Sequence, residues 1–219
     1  MKPDLKVIEG GVQTPALLTA AENDDFAQVR LCIVAGDDLN AVDAMGRSAL
    51  ILALRQGNED VANFLLHHNA NADIVAKDGE TALMVACRLQ IDTVIERIAK
   101  RGSNFDVQEN AEKKTALMLA IESGDGWAAC RLAQVGADVS TVKDARGETA
   151  KDKAFKRMEG RVWKAFNRAA TERAEKTAAE KERQLAKTTV SATTLSREIK
   201  PLKTLSFGPK KPGYPSPNL

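Results

Sequence analysis

"GETALMVA" (residues 79–86) and "KKTALMLA" (residues 113–120) state nearly the same phrase 34 residues apart, with Thr81 and Thr115 holding the same place in each. An upstream copy, "GRSALILA", sets Ser48 33 residues before Thr81, and a downstream copy, "GETAKDKA", sets Thr149 34 residues after Thr115. A catalytic centre needs its residues once. A phrase recurring at this spacing marks stacked structural units instead.

Each unit reads as a turn, a short helix, a second turn, a longer helix and a loop leading to the next unit. In the best-formed copy Gly79 supplies the turn, Thr81 is placed to cap a helix, and Ala82, Leu83 and Ala86 form its apolar face. A second helix is predicted over Asp92 to Arg101, with Val94, Ile95 and Ile98 as its buried stripe and Gly102 as its left-handed stop. Glu80 lies on the turn, where its loss is expected to matter little. Gly36, Asn69, Gly102 and Gly136 recur at spacings of 33, 33 and 34, Asn being the other residue that tolerates positive φ. Ala20, Ala53, Ala86 and Ala120 share a register, so the first helices of adjacent units can approach closely. One helix pair of this length cannot bury its own apolar face, so the units must stack.

Composition agrees with this reading. With 43% hydrophobic but only 4% aromatic residues, the core is built from Ala, Leu, Val and Ile. No run approaches the roughly 18 apolar residues of a membrane span, and Asp4, Lys6 and Glu9 interrupt any secretory h-region, so a cytoplasmic protein is expected. A C-terminal signal would escape that test. Cys32, Cys87 and Cys130 form no C-x-x-C pair and read as buried core thiols in a reducing compartment. Charge is uneven: residues 1–150 hold 15 Lys and Arg against 23 Asp and Glu, a net of −8, whereas residues 151–219 hold 17 against 7, a net of +10. The body is acidic and the C-terminal part basic.

On these residues the chain resembles the ankyrin-repeat family, whose signature is a turn and two antiparallel helices in about 33 residues with a T-P-L-H-x-A motif. "SALILA" at Ser48, "TALMVA" at Thr81 and "TALMLA" at Thr115 carry the resemblance, with "HHNANAD", "KRGSNFDV" and "QVGADVS" closing the units. Alanines 49, 82, 116 and 150 replace the family proline, and Ile51, Met84 and Met118 replace its histidine, so the loop ties that the histidine makes must be missing or remade. The first unit is the most degenerate, with Pro15 in the threonine register. The resemblance implies an all-α solenoid of four helix-pair repeats and a capping partial repeat. The expected divisions are a lead-in over 1–13, the repeat domain over 14–170, a charged solvated helix over 171–187 and a disordered basic tail over 188–219. In the helix, Glu172 and Lys176 are set to pair at i, i+4. Phe155, Met158, Val162 and Phe166, with Trp163 beside them, read as one capping helix, or as a basic amphipathic surface for an acidic membrane or partner.

No nucleotide, zinc-protease or nucleophile-elbow motif is present, and the adjacent His67 and His68 point about 100° apart on a helix, which suits solvation better than metal. No catalysis, cofactor, metal or small-molecule substrate is expected. Few aromatics on an acidic body argue against nucleic acid. The resemblance implies a monomeric scaffold that binds a protein through hairpin tips and the concave face. The tip candidates are Met45, Lys77, Asp78, Glu112 and Arg146. The concave candidates, chosen by register, are Arg55, Gln56, Arg88, Leu89 and Glu122. Arg55 and Arg88 stand one repeat apart and form a small cationic pair for acidic groups of a partner. Trp127, where neighbouring units carry Asp60 and Thr93, is either an exposed anchor or a lid over Gly124 and Gly126. The alternative is an exported bacterial effector whose tail carries the signal, since "TLS" occurs at both Thr194 and Thr204.

Overall fold

The computed structural model describes residues 15–198, with side chains through residue 186. Among the described residues, ten helices follow one another as five pairs: α1 (Ala16–Glu22) with α2 (Phe26–Ala35), α3 (Ala49–Arg55) with α4 (Glu59–His67), α5 (Ala82–Leu89) with α6 (Asp92–Arg101), α7 (Ala116–Ser123) with α8 (Gly126–Val135), and α9 (Ala150–Arg157) with α10 (Gly160–Glu198).

The repeated phrase does what its chemistry requires. The hydroxyls of Ser48, Thr81, Thr115 and Thr149 accept from the backbone amides of Ile51, Met84, Met118 and Asp152, each cap being worth about 1 kcal/mol. Pro15 caps α1 with no side-chain bond, as the degenerate first unit leads one to expect. Among the described residues, every left-handed one apart from Gly160 falls in one of three register columns. One column stops the second helices at Gly36, Asn69, Gly102 and Gly136. A second turns the chain between paired helices at Asp24, Gly57, Gln90 and Gly124. The third shapes the hairpin fingers between repeats at Gly46, Gly79, Lys113 and Gly147. At Gly79 a side chain is also excluded by space, because an added Cβ would lie 2.7 Å from the Asn110 amide nitrogen.

The core is a continuous seam between units. Ala53, Ala86, Ala120 and Ala154 are fully buried, Leu50 and Leu117 likewise, and Leu83 nearly so. The second helices contribute Leu65, Ile98 and Leu132 in one column. Burial pushes the thiol of Cys87 up, and does the same to Cys32 and Cys130.

Two expectations about the C-terminal part are corrected. The run from Phe155 to Phe166 is not one helix: α9 ends at Arg157, Met158 is extended, and α10 starts at Gly160. Met158 occupies the column of Gly57, Gln90 and Gly124, so the turn between paired helices persists and a complete fifth pair forms. Phe166 continues the Leu65, Ile98 and Leu132 column at full burial. The backbone of α10 runs across residue 187 to Glu198. Glu172 pairs with Arg168 at 2.7 Å, not with Lys176 as its spacing suggests. One compact unit extends to Lys176 and a second begins at Thr177. The lead-in through residue 14 and the tail from 199, with the second "TLS", lie outside the described residues.

Candidate partner-binding surface

The fingers and the first helices line one face of the stack, and charge organises it. Two columns carry the charges: the residue before each register Ser or Thr, which is Arg47, Glu80, Lys114 or Glu148, and the residue seven after it, which is Arg55, Arg88, Glu122 or Lys156. Within a repeat the two columns pair across the first helix. Glu80 meets Arg88 at 2.8 Å, Lys114 meets Glu122 at 2.7 Å, and Glu148 meets Lys156. The polarity of the pair reverses from one repeat to the next.

Arg47 and Arg55 in the second repeat cannot pair with each other. Arg47 turns to Asp43 of its own finger at 2.6 Å, and Arg55 crosses to the next repeat, donating to Glu80 at 2.7 Å and to Asp78. Glu80, only 4% exposed, therefore holds Arg55 and Arg88 together, and Arg88 also reaches Glu109 at 3.6 Å. The cationic pair read from the sequence is thus bound internally, and Glu80 is no dispensable turn residue. At the far end Lys153, 5% exposed, ties Glu122 (2.8 Å) to Asp144 (2.7 Å) across the fourth and fifth repeats.

The charges feel these contacts. Burial alone would raise the Asp144 carboxyl, but the Lys153 ammonium and the amides of Glu148 and Arg146 hold it below its ordinary value. Glu122 is likewise lowered, because Lys114 and Lys153 outweigh its desolvation. Burial would lower Lys153, and its carboxylate partners raise it instead.

Backbone bonds tie the fingers together. The carbonyls of Met45, Asp78 and Glu112 accept from the amides of Lys77, Asn110 and Ala145 in the next finger, at 2.8 to 2.9 Å. The long loops are stitched by carboxylate and amide side chains. Asn40, Asp73 and Asp106 accept from the backbone of Asn71, Asn104 and Asp138, each about one repeat ahead. These ties stand where the family histidine is absent.

The finger between the third and fourth repeats departs from the others. Residues 43–48, 76–81 and 144–149 close on a glycine, with backbone pairing at Val42–Ser48, Val75–Thr81 and Lys143–Thr149. Here Lys113 occupies the glycine column at φ 53°, and the Gln108 side-chain amide bridges the carbonyls of Lys113 (2.6 Å) and Lys143 (2.8 Å). Beneath it lies a hollow of about 470 Å3 lined by Arg88, Glu109, Ala111, Glu112, Lys114, Leu119, Glu122 and Ser123.

Of the residues singled out from the sequence, Arg88, Glu112 and Glu122 meet in this hollow. Arg55 and Asp78 join through their ion pair one repeat away. Gln56 and Leu89 are exposed in the column that carries Ser123, and Met45, Lys77 and Arg146 are exposed at finger tips. Trp127 stands apart, 48% exposed on the second-helix face. It does not cover Gly124, where no side chain comes within 4 Å of an added Cβ. Sequence reasoning took Glu80 for a minor turn residue and gave Lys114, Glu148 and Lys153 no role on this face. The signal for the first three was available, in the alternating signs of the residue before each Ser or Thr.

Comparison with known proteins bears on this surface. A family model described as ankyrin repeats (3 copies) matches residues 6–78 and 69–143. An ankyrin repeat protein of Fowlpox virus is 30% identical over 105 residues, which is 48% of this chain and 24% of that protein. The nuclear factor NF-kappa-B p105 subunit of Gallus gallus is 28% identical over 111 residues, 49% of this chain and 11% of that protein. An L-asparaginase of Dirofilaria immitis is 26% identical over 147 residues, 67% of this chain and 25% of that protein. The chain thus spans a quarter or less of the length of these relatives. No described helix is long and apolar enough to cross a membrane.

Proposed function

The chain belongs to the ankyrin-repeat family, and from that premise we propose that it is a non-catalytic scaffold that grips a protein partner in the hollow under the third finger. Ankyrin repeats are in general protein–protein interaction modules. The observation that carries the proposal is the break in regularity at one place on the charged face, where Lys113 replaces a finger glycine above a hollow lined by Arg88, Glu112 and Glu122. Non-glycine residues held at positive φ cost about 1 kcal/mol or more, and such strain tends to persist where a site uses the geometry. The charges of the hollow are largely paired already, so the partner recognised is one with interspersed polar groups of both signs, not a purely acidic one. Leu89, exposed beside Arg88, supplies an apolar contact. No cofactor enters this reading, and the protein acts in the cytoplasm.

Photo-crosslinking tests the surface. A benzophenone amino acid at Leu89 or Glu112 should give an adduct with any partner recovered on the full chain, and one at Leu31 on a second helix should not. Adducts from Leu31 and none from Leu89 would place binding on the opposite face.

A further inference from the structure

We propose that the open end of the fifth repeat is a second docking surface, separate from the finger hollow, and that it takes an acidic protein segment carrying a large apolar side chain. The end face shows what is unusual. Interior repeats place apolar residues in the columns Leu50, Leu83, Leu117 and Ile51, Met84, Met118, where they are buried against neighbouring units. In the fifth repeat those columns hold Lys151 and Asp152, both exposed, as the end of a stack facing water requires.

The next apolar column breaks that rule. Ala21, Leu54, Cys87 and Ile121 are at most 1% exposed, yet the fifth repeat keeps Phe155 there, 72% exposed. A Phe held open on an end face otherwise converted to polar residues marks a contact surface, because exposing a ring of that size brings no benefit to the isolated fold.

The ring is held in place. Phe155 packs edge-on against Trp163 with centroids 5.6 Å apart, and Trp163 in turn lies against the buried Phe166 at 6.1 Å. Together with Glu148, Lys151, Asp152 and Lys156 the two rings line a hollow of about 300 Å3, room for one aliphatic or aromatic side chain.

Charge selects the occupant. Both carboxylates of the hollow are engaged internally, Glu148 by Lys156 and Lys153, and Asp152 by the capping of α9. Lys151 at the hollow, and Arg161 and Lys164 on either side of Trp163 in the sequence, are exposed and form no ion pair with a carboxylate among the described residues. Residues 150–168 hold seven Lys and Arg against two acids, on a chain whose first 150 residues are net negative. An acidic segment would be drawn to this end, and its apolar side chain would seat on Phe155.

The two tryptophans make the test local, because Trp163 lies at the proposed site and Trp127 does not. The full chain labelled with nitrogen-15 is titrated with a short peptide of Asp and Glu around a central Leu, following the two indole N–H resonances. The Trp163 resonance should move while that of Trp127 stays. Phe155→Ser, at an exposed position, should leave the melting midpoint unchanged and weaken binding at least about tenfold. Lys151→Glu should weaken it too, as should added salt. Equal movement with a Lys-for-acid peptide, an unaltered affinity in Phe155→Ser, or a response confined to Trp127 would overturn the proposal. So would a Trp163 shift that depends on protein concentration and that the acidic peptide does not displace, since a second copy would then be the occupant.

Discussion

The apolar seam between repeats and the charged face above it follow opposite rules. In the seam one residue type recurs down a column: Leu50, Leu83 and Leu117, or Ala53, Ala86, Ala120 and Ala154. On the charged face Arg47, Glu80, Lys114 and Glu148 change sign at every step. An apolar side chain is complementary to a copy of itself, so stacking identical repeats is favourable. A charge repels its copy, so a repeat array must alternate signs or insert a counter-ion. The step where alternation fails, Arg55 to Arg88, is the step where Glu80 is buried between the two.

This contrast can be broken at either side. The largest effect belongs to the seam: Leu83→Ala should cost about 2 to 5 kcal/mol in urea denaturation, since its neighbours cannot fully close the space. A loss under 1 kcal/mol would mean that the stack relaxes freely. On the charged face Glu80→Ala should cost about 1 to 3 kcal/mol by leaving two partly desolvated guanidiniums close together. If Glu80→Ala were neutral, the ion pairs would be decoration on a stack held by its seam alone.

Acidity sharpens the same point. The Asp144 and Glu122 carboxyls are lowered in the fold, so their stabilisation is present above roughly pH 4 and is lost as pH falls through their lowered folded values. Lys153 is raised, so its contribution is complete below roughly pH 10 and is lost as pH rises through its raised value. The urea midpoint should be level around neutrality and drop on both sides, and Lys153→Met should flatten the alkaline limb. An alkaline limb unchanged in that variant would show that the cluster is not the cause. The smallest expected effect is a gain: Lys113→Gly relieves a left-handed lysine and should add about 1 kcal/mol while weakening partner binding. A loss of stability would mean that the lysine side chain holds the finger.

The seam was readable in the sequence because burial selects residue type at a fixed register, and "TALM" states that register outright. The caps at Ser48, Thr81, Thr115 and Thr149 followed from the same phrase. The turn column of Asp24, Gly57, Gln90 and Gly124 was not seen, since half of its members are not glycine. The fifth helix pair was hidden because Met158, apolar at helical spacing from Phe155 and Val162, imitates a continuing stripe. Arg55, Arg88 and Glu122 were located by register, but their pairing was not, because a register names a column and is silent on which neighbouring column a long side chain reaches.

A double-mutant cycle across the second and third repeats tests most directly whether the charged face joins the units. Arg55→Ala, Glu80→Ala and the double variant are compared by urea denaturation at low and at high salt. The two residues are 25 apart in sequence and joined at 2.7 Å. A favourable coupling of about 1 kcal/mol or more at low salt, reduced at high salt, is the predicted result. Additive losses within about 0.3 kcal/mol at both salts would show that Arg55 and Glu80 act independently and that the apolar seam alone holds the repeats together.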